Sequence, residues 1–224
     1  CGNGIRCVAK HLFERDAGLA RSPLRIETGA GVLACTIVAD EQGRVQSVSV
    51  NMGRPRFSPA EIPTTLAVTD GQRVLGADLA LAQKTLSVSA VSMGNPHAVL
   101  FVEEHGDRLR ARAERDGPAI ETHPAFPRRT NVEFAHLVSP REIELVVWER
   151  GCGITLACGT GACATAVAAC ALGLAEPGTD IAVRLLGGTL TIRVAPDDQD
   201  VVMTGPATHV YDAEVDLGQF LQNG

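Results

Sequence analysis

Cys1-Gly2-Asn3-Gly4-Ile5-Arg6-Cys7 opens the chain, and Cys158-Gly159-Thr160-Gly161-Ala162-Cys163 repeats its pattern in the second half. In each copy a cysteine stands at a glycine-lined turn ahead of a stretch that reads as a helix. Val8-Ala9-Lys10-His11-Leu12-Phe13 continues the first copy, and Ala164-Thr165-Ala166-Val167-Ala168-Ala169 the second. A thiol at a helix N-terminus faces unpaired backbone N–H groups and the positive end of the helix dipole. That setting favours the thiolate and lowers a cysteine pKa from ~8.5 toward ~3.5–7.5. Two matched sites read as an acid and a base working on opposite faces of one substrate.

Working outward, strand signals surround both copies. Leu24–Thr28, Val32–Val38 and Val45–Met52 alternate or run apolar, separated by Gly29-Ala30-Gly31 and Asp40-Glu41-Gln42-Gly43, which are hairpin signals. Gly53–Pro59 has two prolines and no periodicity, and reads as an inter-domain linker. Leu86–Met93, Ala98–Val102, Asn131–Ala135 and Glu142–Glu149 are strands. Arg108–Glu114 is a short helix, and Pro118–Pro127 a loop. Two further strands follow the Gly187-Gly188 hairpin turn, Val201–Met203 leads to Thr204-Gly205-Pro206, and Thr208–Leu217 is a last strand candidate. The order of cysteine turn, helix and hairpin strands therefore occurs twice, as expected of a duplicated domain rather than a solenoid.

Residues 1–57 are assigned to the first domain, with a C-terminal strand over 209–224 returning to it, and residues 58–208 to the second. The first copy lacks leading strands. A chain starting at Cys1 is therefore expected to have lost an upstream segment, leaving an incomplete first sheet with an exposed edge. Poor stability and weak activity are the expected consequences.

Composition limits the function classes. The 224 residues are 45% hydrophobic and 21% charged, enough apolar content for a core, which at 4% aromatic must be built from aliphatic residues and alanine. A net charge of −6 argues against a nucleic-acid surface, which needs a basic face. No apolar run reaches the roughly 18–20 residues of a membrane-spanning helix. The seven cysteines, an odd number with no visible targeting signal, suit free thiols in a reducing cytoplasm. A small-molecule substrate is the expected partner, with neither nucleic acid nor membrane, and a homodimer is the assembly to test.

Four chemistries compete for the cysteine turns. Zinc would pair Cys1 with Cys7 and Cys158 with Cys163, but five and four intervening residues that run into helices fit a zinc knuckle poorly. A phosphate loop would need the Gly-Lys-Ser/Thr that neither copy carries. Small residues for close helix packing would explain one copy better than two. Paired thiols that invert a carbon stereocentre explain both. Turn amides would then bind a substrate carboxylate and stabilise the charge that develops as the α-proton leaves.

CGNGIRC, VSMGNPHAV, RTNVEF, WERGCGITLACGTGACA and VMTGPA together resemble diaminopimelate epimerase, in order and through nearly the whole chain. The resemblance implies two pseudo-symmetric α/β (α+β) domains, each a largely antiparallel sheet wrapped around a central helix, the first incomplete here. It implies interconversion of LL- and meso-diaminopimelate in lysine and peptidoglycan precursor synthesis, without pyridoxal phosphate, any other cofactor or metal. Cys1 and Cys158 would be the proton-transfer thiols, with His97 and Glu149 assisting. Alone, His97 reads as a loop histidine after a proline and Glu149 as an exposed strand end. Gly2, Asn3, Gly159 and Thr160 would offer turn amides to the substrate carboxylate, and Asn95, Asn131, Glu149 and Arg150 polar contacts. Cys7, Cys35, Cys152, Cys163 and Cys170 read as small, mostly buried residues. Ile154 stands where the family often has glutamate. The rival readings are a proline or hydroxyproline racemase, where histidine commonly replaces Asn3, and a non-catalytic domain of the same fold.

Overall fold

The computed structural model describes residues 2–16, 18–29, 31–196, 199–216 and 218. The first motif begins a helix, α1 (Gly2–Arg15), followed by three antiparallel strands: β1 (Leu24–Thr28), β2 (Gly31–Ala39) and β3 (Val45–Asn51). The second motif does the same. Helix α3 (Gly159–Ala171) leads into β10 (Asp180–Leu185), β11 (Gly188–Val194) and β12 (Val201–Gly205), again antiparallel neighbours. Between the two repeats lie β4 (Val74–Leu81), β5 (Lys84–Ser92), β6 (Pro96–Phe101), α2 (Asp107–Glu121), β7 (Asn131–Ser139), β8 (Glu142–Glu149) and β9 (Gly153–Thr155).

The strands form one sheet in the order β1-β2-β3-β12-β11-β10-β8-β7-β6-β5-β4, with β9 pairing β8 alongside. Among the described strands only β10–β8 and β6–β7 pair in parallel. The repeats join where β12 meets β3 antiparallel, so the last strand of each unit faces the last strand of the other. Ser49 and Thr204 are partners in that register, and their hydroxyl oxygens lie 2.7 Å apart.

Helix α3 is the centre of the larger unit. Its residues are almost all Gly, Ala, Cys or Thr, and all but Thr160 and Ala171 are buried. A helix without a polar face must be enclosed. Here β5, β6, β7, β10, β11 and β12 all contact it, and its small side chains admit that many strands. Helix α1 is one-sided: Ile5 and Ala9 pack with Leu24, Cys35, Val48 and Val50, while Cys7 and Val8 are exposed. Helix α2 covers the opposite face of β7 and β8, where Leu109, Ala113 and Ile120 meet Val132, Phe134 and Val146.

Strand alternation then sorts side chains by face. On β6, β7 and β8 the residues Val99, Ala135, Leu145 and Val147 point to the α3 side. Ala98, Leu100, Val132, Phe134 and Val146 point to the α2 side. By the same parity His97, Asn131, Glu133 and Glu149 belong to the α3 side.

Three elements differ from the sequence reading. Helix α2 runs on to Glu121, through the stretch read as loop, with Pro118 inside it. Buried Gly117 and Ile120 continue its packed stripe, which outweighs the backbone bond that Pro118 removes. Strand β4 was not anticipated because Gly76, at φ +61°, interrupts its alternation with a register shift between Val74 and Ala77. The described residues from Pro206 to Asp216 form no strand, contrary to the candidate over Thr208–Leu217. Leu217 and residues 219–224 lie outside the described residues. Among the described residues, no helix is long and apolar enough to cross a membrane.

Candidate active site

Both cysteine motifs are helix starts rather than turns ahead of a helix. Helix α1 begins at Gly2 and α3 at Gly159, so each cysteine precedes the first helical residue. Cys158 is the extended N-cap of α3. The first amides of α3 have no helical acceptor and are open to a ligand. Cys1 lies outside the described residues.

The two helix starts converge. Met203 of β12, fully buried, is wedged between them: a β-carbon on Gly2 would stand 2.6 Å from Met203 Cε, and one on Gly159 2.9 Å from Met203 Sδ. Cross-ties hold the junction. Asn3 Nδ2 donates to the carbonyl of Ala157 (3.5 Å), beside Cys158. The buried Arg6 guanidinium donates to the carbonyls of Gly2 and Pro206, both at 3.3 Å. Gly205 lets that happen, since a β-carbon there would stand 3.2 Å from Arg6 Cζ. VMTGPA is thus the strap that clamps α1 against α3. Arg6 escaped the sequence reading, because α1 also carries Lys10, Glu14 and Arg15 and nothing local marks Arg6 as the buried one.

Cys158 Sγ lies 3.5 Å from the Thr160 hydroxyl and also accepts from the backbone N–H of Gly161. Burial, reinforced by the nearby carboxylates of Glu133 and Glu149, nevertheless pushes its pKa up to about 11. Burial therefore outweighs the helix terminus at Cys158 and favours its thiol form. Burial likewise raises Cys163 and Cys35. Cys35, Cys163 and Cys170 are buried as read, whereas Cys7 and Cys152 are exposed.

His97 and Glu149 sit on the α3 side. His97 is fully buried, with Nδ1 2.7 Å from Glu133 Oε1 and Nε2 3.0 Å from Asn95 Oδ1. It is a strand residue with both nitrogens engaged, not a loop histidine. Glu149 Oε1 accepts from the Thr155 hydroxyl at 2.5 Å. Asn131 spends its amide internally: Nδ2 donates to the Pro96 carbonyl (3.3 Å), and Oδ1 accepts the Arg150 N–H (2.9 Å). It thus ties the GNPH motif to the ERG turn. Gly94 (φ +94°) and Gly151 (φ +78°) permit those two turns. Asn95 and Arg150 line a cleft of about 230 Å³ with Glu61, Ser92, Gly94 and Arg128.

Two carboxylates were missed. Glu133 alternates with apolar Val132 and Phe134, and that parity was the available signal. Glu121 sits in the stretch read as loop. It accepts from Trp148 Nε1 (2.7 Å) and from the Gly151 N–H (3.0 Å), bracing the ERG turn from behind. Among the described residues no group of three or more His, Cys, Asp or Glu could hold a metal ion.

Comparison with known proteins gives this arrangement a family. A diaminopimelate epimerase family profile matches residues 89–210. The diaminopimelate epimerase of Pelotomaculum thermopropionicum is 47% identical over 215 residues, covering 96% of this chain and 72% of that protein. The chain belongs to the diaminopimelate epimerase family. The diaminopimelate epimerase of Synechococcus elongatus is 48% identical over 217 residues, 97% of this chain and 73% of its own length. Among solved structures, a hydroxyproline epimerase from Agrobacterium vitis, with trans-4-hydroxy-L-proline bound, superposes with a TM-score of 0.64 at 19% identity. It covers 91% of this chain, which spans 62% of that protein, and the likeness extends the fold to racemases of cyclic amino acids without extending their substrate.

Proposed function

We propose that the protein is a cofactor-independent epimerase that interconverts LL- and meso-diaminopimelate by proton transfer between two thiols, Cys1 and Cys158. The observation that carries this reading is the convergence of two equivalent helix starts on Met203, each preceded by its cysteine. The substrate's α-carboxylate sits on the free amides at Gly159 and Thr160 and on their counterparts at Gly2 and Asn3. There it takes up the enediolate charge as the α-proton leaves. The buried, unpaired Asn3 Oδ1 suits the α-ammonium. The far carboxylate fits the cleft beside Arg150 and Asn95.

The raised pKa of Cys158 assigns it the thiol role at rest. In one direction it donates its proton to the carbanionic carbon, while Cys1, as thiolate, has removed the proton from the opposite face. In the other direction the roles exchange: one proton moves from Cys158 to Cys1 before substrate binds, the Cys158 thiolate takes the α-proton, and the Cys1 thiol returns a proton to the opposite face. Closing the site on substrate excludes water and protects the carbanion. The family places this activity in lysine and peptidoglycan precursor synthesis, and a cytoplasmic location and a homodimer belong to the same proposal. So does a division near residue 57 into two helix-centred units that contribute one thiol each.

The test is conversion of LL-diaminopimelate by the purified protein, followed by chiral chromatography beside L-proline and trans-4-hydroxy-L-proline. The meso isomer should form, and the cyclic substrates should be returned unchanged. Turnover of proline alone would assign the protein to the racemase reading.

A further inference from the structure

Glu133 takes no part in the thiol scheme, yet it is fully buried against it. On β7 it points to the α3 side between Asn131 and Ala135. A β-carbon on Gly161 would stand 3.0 Å from Glu133 Oε1 and 3.3 Å from Cys158 Sγ. The last glycine of the second cysteine motif is therefore where this carboxyl and the thiol come together.

The His97 ring is the key to its chemistry. Nδ1 faces Glu133 Oε1 and Nε2 faces Asn95 Oδ1, so both ring nitrogens are aimed at oxygen. With Nε2–H donated to Asn95, two states satisfy both bonds. In one, a protonated Glu133 donates to the bare Nδ1 of a neutral imidazole. In the other, an imidazolium donates from Nδ1 to the carboxylate. The states differ by one proton moved between Oε1 and Nδ1, with no other bond changed. Glu133 Oε2 is buried without a partner. An ionised oxygen left so is costly, which favours the neutral pair at rest. The other groups facing this carboxyl are Glu149 from β8 and Cys158 ahead of α3. Burial raises the Glu133 pKa, His97 opposes the rise and Glu149 adds to it.

We propose that Glu133 is a positioning residue for the epimerisation: it holds the His97 ring with Nε2–H on Asn95 and passes one proton back and forth with Nδ1. His97 can then become imidazolium when a negative charge develops in the site, without water reaching the ring. This rests on the epimerase reading above.

Glu133→Gln tests it, because glutamine keeps the volume and can donate to Nδ1 but cannot take the proton. The expected result is a fall in kcat of about tenfold or more with KM for diaminopimelate nearly unchanged. A His97→Ala, Glu133→Gln double variant should be no slower than His97→Ala alone, since Glu133 acts through the ring. A wild-type rate in Glu133→Gln, or losses that multiply in the double variant, would overturn the proposal. Nitrogen-15 NMR of histidine-labelled wild-type protein decides without a variant or turnover. Protonated Nε2, with Nδ1 intermediate between bare and protonated, is expected. Bare Nε2 with fully protonated Nδ1 refutes the pair. Failure of the wild-type protein to epimerise diaminopimelate would sink the functional reading instead, and would leave the NMR result to judge the pair.

Discussion

Gly2 and Gly159 meet: a β-carbon on Gly159 would lie 3.5 Å from the Gly2 Cα, with Met203 filling the space beside both. The equivalent starts of two repeats are brought together where β12 and β3 pair antiparallel, which sets the repeats face to face. Cys158 directly precedes one of these glycines, and in the sequence Cys1 precedes the other.

That junction is sterically full, and substitutions there should show it. Gly159→Ala gains up to about 1 kcal/mol of helix propensity, but its methyl meets Met203 Sδ at 2.9 Å in a buried site. The expected net result is lower kcat with a lower melting temperature. Met203→Ala alone should cost about 2–5 kcal/mol in urea unfolding as a large-to-small core change. Combined, the two should cost less than their sum, because each relieves the other's defect. Strict additivity would place the contact elsewhere.

The buried thiol makes stability depend on alkaline pH. Cys158 ionises near its ordinary value in the unfolded chain but at about 11 when folded. The folded pKa is raised, so the stabilisation is complete below about pH 8.5 and is lost as pH climbs toward 11. A shift of this size corresponds to roughly 3 kcal/mol. Urea midpoints from pH 8 to 10.5 should fall more steeply for the wild type than for Cys158→Ala. Buried Cys163 and Cys35 should supply the remaining slope. Parallel slopes in the two proteins would mean that Cys158 ionises freely in the fold. Alkylation of Cys158 by iodoacetamide should correspondingly be slow at pH 7 and accelerate above pH 9.

Glu121 tests the brace behind the site. Burial would raise its pKa, but donors from Trp148, the Gly151 N–H and Arg129 outweigh that and hold it low. With a depressed folded pKa, its contribution is present above about pH 4.3 and lost as pH falls through the folded value. Glu121→Gln should cost about 1–3 kcal/mol at pH 7 and progressively less below pH 4. Because Glu121 also holds Gly151, the variant should raise KM for diaminopimelate more than it lowers kcat. Trp148 fluorescence should change on substitution. An unchanged KM would separate the brace from the substrate cleft.

Much of this arrangement was legible because its signals are local. The cysteine-glycine repeats mark both helix starts, and the alternation of Leu24–Thr28 and Val45–Met52 marks strands. What escaped depends on contacts distant in sequence. Gly76 hides β4 by breaking its alternation, and Pro118 hides the end of α2, which is held by Trp148 packing on Gly117. Glu133 is one polar residue of a strand in the sequence, and only enclosure by α3 makes it a buried partner of His97. Which of the two cysteines is the thiol stayed open in the sequence for the same reason. A helix terminus is visible in sequence, whereas the burial and carboxylates that outweigh it are not.

The two-thiol claim is tested most directly by deuterium exchange at the α-carbon of diaminopimelate in heavy water, for the wild type, Cys158→Ala and Cys1→Ala. The account predicts that wild-type product carries solvent deuterium at the inverted centre while early remaining substrate does not. It also predicts that each single variant loses epimerisation by about a thousandfold or more. Epimerisation retained in either variant, or inversion without solvent deuterium in the product, would contradict it.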